Sequence, residues 1–140
     1  MAAYNKFNQF TKDLIDGVHD FDAHTFRVML TNVAPVATNT VRANITEIAA
    51  GNGYTAGGLT TAITTSTASG VAKITATDVT FTATGGSIAT FRYVVIYNDT
   101  PTTPLKPLMC WIDYGSAVTL AAGESLLVDF DATNGLATVA

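Results

Sequence analysis

The chain has 140 residues, of which 48% are hydrophobic and only 13% are charged, and its formal net charge is −4. This length suits one folded domain, and so high a hydrophobic share excludes a disordered chain. The seven Lys and Arg residues are scattered, which argues against a nucleic-acid partner, and no apolar run is long enough to span a membrane. The single cysteine, Cys110, excludes an internal disulfide. Because no signal peptide is visible, we expect synthesis in a cytoplasm.

A helical pattern runs from Tyr4 to Ile15, with apolar residues at spacings of three and four. Gly17 is a suitable stop signal for this helix. A helix this short is not stable alone, so it must dock either on its own sheet, which we favour, or on a neighbouring subunit. The stripe consists of Tyr4, Phe7, either Phe10 or Thr11, and Leu14.

A strand over Thr25–Thr31 is predicted next, because apolar and polar residues alternate in it. The segment Asn32–Asn44 contains Pro35 and several threonines, which predicts a surface loop with little regular structure. Its length makes it a candidate contact loop. Ile45–Ala49 is predicted to be a weak strand or a single turn.

Four glycines fall within Gly51–Gly58, which requires unusual backbone dihedrals or very close backbone approach. Tyr54, in the middle, is expected to hold this loop against the core. A phosphate-binding loop would need a helix directly after it, but a strand-like run from Leu59 follows and no Gly-Lys-Ser/Thr is present. We therefore predict a structural glycine loop formed by Gly51, Gly53, Tyr54, Gly57 and Gly58.

The longest apolar run rich in β-branched and aromatic residues is Ile88–Tyr97, which predicts a central strand covered on both faces. A second strand over Pro107–Tyr114 completes a hairpin with it. Asp113–Ser116 is then expected to turn the chain. The other predicted strands lie near 59–67, 71–76, 78–83, 118–120, 126–130 and 136–139.

This number of short strands with frequent turn signals predicts an all-β, single-domain fold, a β-sandwich or jelly-roll-like architecture with a short N-terminal helix. The predicted domain covers residues 1–140, with an N-terminal helix or arm over 1–17 and a β core over 18–140.

Residue types suited to chemistry are few, and we predict no catalytic, cofactor or metal site. His19, Asp20, Asp22 and His24 can each ligate metals, but their spacing matches no metal motif, and Cys110 lies within an apolar strand. Asp129 and Asp131 flank an inward Phe130, an arrangement more typical of solvent-facing acids than of paired catalytic carboxylates.

Several motifs along nearly the whole chain resemble a family of small virion structural proteins of tailed bacteriophages. The most specific is the glycine stretch over 51–58. The others are Lys6-Phe7, the run Gly17–Phe21, Arg27–Asn32 followed by Ala34-Pro35, Glu47–Ala49, Phe91–Tyr93 with Ile96–Asn98, Asp113–Ser116, and Val128–Phe130.

The resemblance implies a capsid decoration, or cement, protein on the outer capsid surface of the virion, made in the host cytoplasm and without enzymatic activity or cofactor. Its implied partners are the major capsid protein and other copies of itself, as a dimer or trimer, but not nucleic acid or membrane. The alternatives are a tail-fibre or head-fibre component and a carbohydrate-binding surface module. The expected capsid or subunit contacts are Tyr4, Phe7, Phe10, Pro35, Val36, Thr38 and Asn39.

Overall fold

A computed structural model describes residues 4–140 and confirms the all-β fold with one short N-terminal helix. The first three residues of the predicted arm lie outside the described residues. The helix is α1 (Asn8–Ile15), and a 3₁₀ turn spans Arg42–Asn44. The strands are β1 (Tyr4–Lys6), β2 (Phe26–Thr31), β3 (Leu59–Thr61), β4 (Ile63–Ala68), β5 (Val71–Ala76), β6 (Val79–Thr82), β7 (Phe91–Asn98), β8 (Leu108–Val118), β9 (Ser125–Val128) and β10 (Ala137–Val139).

The strands form three antiparallel sheets in a sandwich-like arrangement. The largest has the order β1-β8-β7-β2-β3, and the smaller ones have the orders β10-β5-β4 and β6-β9. Strand β7 is therefore the central strand, as its apolar sequence predicts, and both of its faces are covered by other parts of the chain. It begins at Phe91 rather than at Ile88, although the Ile88 side chain is still fully buried.

The two faces of the large sheet border two different cores. The main core joins alternate residues of β2 and β7 to buried side chains of the smaller sheets, which pack on this face. The second core lies on the opposite face, under loops rather than under a sheet. The main core includes Phe26, Val28, Leu30, Ile74, Phe81, Val94 and Ile96, and the second comprises Phe7, Met29, Val95, Tyr97 and Leu108.

The N-terminal segment differs from the prediction. The helix begins at Asn8, because Tyr4–Lys6 instead pair with β8 as its edge strand. Spacings of three and four cannot distinguish the first turn of a helix from a strand that a sheet edge recruits. The helix ends near Gly17, whose φ of +73° suits a helix stop, and it docks on its own chain, with Phe10 only 1% exposed.

The predicted turn over Asp113–Ser116 is wrong, because β8 continues through it to Val118. Phe91 pairs with Val118 and Tyr93 pairs with Asp113, so two steps along β7 correspond to five along β8. The turn-forming residues, including Gly115 with a φ of +95°, are accommodated as a bulge within the strand.

Two further predictions need correction. Ile45–Ala49 forms neither a strand nor a turn of its own, and contributes only one isolated bridge, between Thr31 and Glu47. The predicted strand near 59–67 is divided at Ala62, because β3 joins the large sheet while β4 joins a smaller one. The chain passes from one sheet to another at Ala62, and the threonine-rich sequence does not indicate this because the choice of sheet depends on which strands pair.

Candidate interaction surface

The predicted contact loop, Asn32–Asn44, is irregular but firmly held by backbone hydrogen bonds. Its Ala37 carbonyl accepts from Asn8 N–H at 2.9 Å, and its Thr40 carbonyl accepts from Leu108 N–H at 3.0 Å. These two bonds attach the loop to the start of α1 and the start of β8. A loop held in this way loses little conformational entropy when it binds a partner.

Side chains within the contact loop fix its shape further. The Asn44 Oδ1 atom accepts from the backbone N–H groups of Thr40 and Val41 at 2.9 and 3.2 Å. Asn39 Oδ1 accepts from Val36 N–H at 3.0 Å, and the Asn39 N–H donates back to the Val36 carbonyl at 2.9 Å. Such local bonds replace regular secondary structure in a tight loop.

The contact loop presents apolar side chains to solvent. Val33 is 56% exposed and Val36 is 54% exposed, and Thr38 is also exposed. Asn39 is half-buried, and Pro35 is buried, so Pro35 serves the shape of the loop rather than its outer surface. Of the expected contact residues in this loop, Val36 and Thr38 are therefore the ones placed outward.

The expected contacts in the N-terminal segment are placed differently. Phe7 and Phe10 are 0% and 1% exposed, so their side chains form core rather than a surface that a partner could touch. Tyr4 is half-buried, and its hydroxyl accepts from Asp131 N–H at 2.7 Å. Burial raises the pKa of Tyr4 above its ordinary value. These three residues attach the N-terminal segment to this chain's own fold.

The glycine loop, residues 51–58, lies against the large sheet and β6. A Cβ atom at Gly58 would overlap the Val28 carbonyl, and one at Gly53 would overlap the Thr82 carbonyl. Gly58 also has a φ of +80°. Only glycine meets both requirements at this point of contact.

A network of hydrogen bonds holds the glycine loop to the sheet. Glu47 Oε1 accepts from the Tyr54 hydroxyl at 2.7 Å and from Gly57 N–H at 2.6 Å. The Tyr54 hydroxyl accepts from Leu30 N–H at 3.1 Å, and the Tyr97 hydroxyl donates to the Gly57 carbonyl at 2.7 Å. The Gly57 N–H and carbonyl groups and the Leu30 N–H group are thereby paired.

Charged groups complete this network. Arg42 Nη2 donates to Glu47 Oε2 at 2.6 Å, and the Arg42 guanidinium lies 5.5 Å from the Tyr97 ring centre. Arg27 donates to the Gly58 carbonyl at 3.1 Å and to Asp99 at 3.2 Å. Burial raises the pKa of Tyr54, and it raises that of Tyr97 to about 12. Both tyrosines are therefore neutral near pH 7 and act as fixed hydrogen-bonding groups.

Cys110 and Asp131, whose side chains are of types that can take part in catalysis, have local structural roles. Burial raises the pKa of the Cys110 thiol to about 12, so it is not an activated nucleophile near pH 7. Asp131 Oδ1 accepts from the N–H groups of Thr133 and Asn134, both at 2.9 Å, and these bonds lower the pKa of Asp131. Asp131 therefore caps the turn before β10.

The histidine segment folds around a residue that sequence analysis did not single out. Asn98, at the end of β7, bonds to the rings of both His19 and His24. Asp20 Oδ1 accepts from the N–H groups of Asp22 and Ala23, both at 3.1 Å, and so caps a turn. Across residues 4–140, no three His, Cys, Asp or Glu side chains are grouped so as to hold a metal ion.

Two other surfaces were missed from sequence. Strand β4 is at the edge of its sheet, has no charged residue and is exposed from Thr64 to Ala68. A groove of about 410 Å³ between α1 and this sheet is mainly apolar, and beside it Ile15 is 83% exposed and Val139 is 49% exposed. The exposed β4 edge depends on strand pairing, and the groove depends on where α1 packs. No local sequence pattern therefore predicts either surface.

Trp111 and Tyr114, two aromatic residues of β8, lie in different surroundings. The Trp111 ring packs on the Phe7 ring, with 4.6 Å between their centres, and belongs to the border of the second core. Tyr114, in the bulged part of β8, is 48% exposed.

Comparisons with protein-family models, curated proteins and solved structures find no match for this chain. Among residues 4–140, no helix combines the length and apolar character needed to cross a membrane.

Proposed function

We propose that this protein is a non-enzymatic virion structural protein of the capsid-decoration type, which binds the outer capsid surface and stabilises contacts between capsomers. The resemblance to small phage virion proteins supports a location on the virion. The geometry that supports the proposal is the contact loop, which presents Val33 and Val36 on a backbone that is held to α1 and β8 through Ala37 and Thr40. A preformed apolar surface of this kind suits many repeated, individually weak contacts on a symmetric shell.

Self-association is part of the proposal, and the β4 edge supports it. Its backbone groups face solvent on one side, and no charge or proline within Ile63–Ala68 prevents another strand from pairing there. Antiparallel pairing of two β4 strands would place uncharged threonine and serine side chains opposite each other, with no like charges in contact.

The deciding experiment is cryo-electron microscopy of virions of the phage that encodes this protein, to find whether and where the protein lies on the particle. Many symmetric copies on the outer shell are expected. A few copies at one vertex or on the tail would instead favour the fibre alternative, and absence from the particle would overturn the proposal.

A separate binding assay tests whether the exposed apolar side chains of the contact loop make the contact with the capsid. Purified protein is mixed with capsids that lack it, and bound protein is measured after sedimentation. Val36→Asp should weaken binding at least about tenfold, because it places a charge in a desolvated apolar contact. Val71→Asp is the matched control, since Val71 is also an exposed valine, at 39%, but lies outside the contact loop. Equal binding by both variants would exclude the contact loop as the attachment surface.

A further inference from the structure

A buried polar cluster joins the segment between α1 and β2 to the end of the central strand. Asn98 is 0% exposed and His19 is 8% exposed. Asn98 Nδ2 lies 3.1 Å from His19 Nδ1 and 2.9 Å from His24 Nδ1. One amide group therefore holds both histidines of the chain.

The orientation of the Asn98 amide fixes the roles of these atoms. Asn98 Oδ1 accepts from Thr100 N–H at 3.2 Å, so the NH₂ group is directed toward the histidines. An NH₂ group only donates, so both Nδ1 atoms must accept. Only a neutral imidazole that carries its proton on Nε2 has an accepting Nδ1 atom, and a protonated imidazole has none.

The Nε2 side of the His19 ring also has an unusual environment. Its Nε2 atom and the Asp13 Oδ2 atom are both buried without a hydrogen-bond partner among the described residues. Asp13 is 3% exposed, and its other oxygen accepts from Gln9 Nε2 at 3.0 Å. Around the His19 ring lie the aromatic rings of Phe10, Phe21 and Phe26.

Two neighbouring titratable groups shift the pKa of His19 in opposite directions. Asp13, from α1, favours the protonated form, while His24, from the same connecting segment, disfavours it. Burial outweighs both and lowers the His19 pKa to about 4. Asn98, which faces the ring from β7, is uncharged, so no group there compensates a proton on Nδ1.

We propose that Asp13, His19, His24 and Asn98 form an acid-sensitive latch that holds residues 17–25 over the main core. At neutral pH both histidines accept from Asn98 and the latch is closed. Protonation converts an accepting Nδ1 into a second donor facing the NH₂ group, and this repulsion opens the latch. This inference does not depend on the proposed function.

Opening should be local, because few other polar bonds hold this segment. At its start, the Gly17 and Val18 N–H groups donate to the Leu14 and Asp13 carbonyls at 3.3 and 2.9 Å. At its end, Thr25 N–H donates to Thr100 Oγ1 at 2.8 Å and the Thr25 carbonyl accepts from Asp99 N–H at 2.8 Å. Release of residues 17–25 would uncover Phe26 while leaving the β7–β8 pairing in place. The closed latch binds fewer protons than the open one, so acid favours the open state.

The test uses the whole chain and amide hydrogen exchange measured by NMR between pH 7.5 and 4, corrected for the intrinsic exchange rate. Opening at Val18 and Thr25 should increase by about tenfold per pH unit from about pH 6 down to about pH 4, which is the interval between the ordinary histidine pKa and the lowered pKa of His19. Exchange in β7 and the fluorescence of Trp111 should stay unchanged over this range. Unchanged protection at Val18 and Thr25, or unfolding of the whole chain at the same pH, would overturn the proposal.

Variants separate the histidines from nearby carboxylates. His19→Gln should remove most of the acid dependence, because glutamine can still accept from Asn98 but does not titrate. Asn98→Asp should reverse the pH dependence of opening. A carboxylate at this position accepts from protonated histidines, so acid would favour the closed latch. If both variants keep the wild-type acid dependence, the histidines do not control opening and the latch is disproved. The wild-type titration remains decisive if a variant fails to fold.

Discussion

The glycine loop and the contact loop are both irregular, and both are fixed by hydrogen bonds, yet they use their side chains in opposite ways. In the glycine loop, Tyr54 is 3% exposed and packs into the main core beside Phe81. In the contact loop, Val33 and Val36 are more than half exposed while the backbone carries the attachment. A loop can therefore be rigid without burying its side chains. Rigidity from backbone bonds leaves side chains available for a partner.

The largest effect on stability is expected at Gly58, in the glycine loop. Gly58→Ala should lower the free energy of unfolding by at least about 3 kcal/mol, because the new Cβ would overlap the Val28 backbone at a strained φ. Chemical denaturation measures this change. Gly85→Ala is the matched control, since its φ of +74° is similar but the added Cβ meets no atom within 4 Å. That variant should lose only about 1 kcal/mol, and equal losses would refute the packing argument.

The next largest effect is expected at Tyr54. Tyr54→Phe should cost about 2 kcal/mol, because it leaves the buried Leu30 N–H without an acceptor and removes one donor to Glu47. Tyr97→Phe is a useful comparison, because it removes a single bond, to the Gly57 carbonyl, and should cost about 1 kcal/mol. Thermal and urea unfolding of both variants measure the difference, and a larger loss for Tyr97→Phe would contradict the assignment of Tyr54 as the main attachment.

A smaller effect is expected at Asn44, which caps the contact loop. Asn44→Ala should lower stability by about 1 kcal/mol, since the Thr40 and Val41 N–H groups lose their acceptor but can bond to water. Hydrogen exchange at those two amides should increase while exchange within β7 does not. If the loop amides stay protected, backbone bonds alone fix the contact loop.

The smallest effect on stability is expected at Val36. Val36→Asp should change the free energy of unfolding by no more than about 0.5 kcal/mol, because an exposed side chain contributes little to the folded state. Urea denaturation checks this value, and the capsid-binding assay described above is performed on the same preparation. A substantial loss of stability would mean that Val36 supports the fold, and a binding defect could then not be attributed to a contact.

The central strand and the glycine loop show how far local sequence reaches. The C-terminal half of Ile88–Tyr97 is apolar on both faces, and this alone predicts a strand inside a covered sheet. The glycines over 51–58 likewise predict close backbone approach, although not that the approach is to β2 and β6. The Tyr4–Lys6 strand and the bulge in β8 were not predicted, because sheet pairing overrode a helical pattern in one case and a turn pattern in the other.

The candidate surfaces divide in the same way. The sequence identifies Asn32–Asn44 as a loop, but exposure of Val36 and burial of Pro35 follow from how folding attaches the loop to α1 and β8. Asn98 and Asp13 carry no motif, and they become notable only because folding brings them to His19.

By itself the sequence determined the all-β class, the short helix, the central strand and the positions that require glycine, since these depend on local alternation, chain stiffness and the missing Cβ. The tertiary structure alone decided which sheet each threonine-rich strand joins, which apolar side chains stay exposed and which polar groups are buried together. Those outcomes depend on contacts between residues far apart in the chain, such as His19 and Asn98, whose sequence numbers differ by 79. No local pattern encodes such distances, because they arise only when the sheets pack.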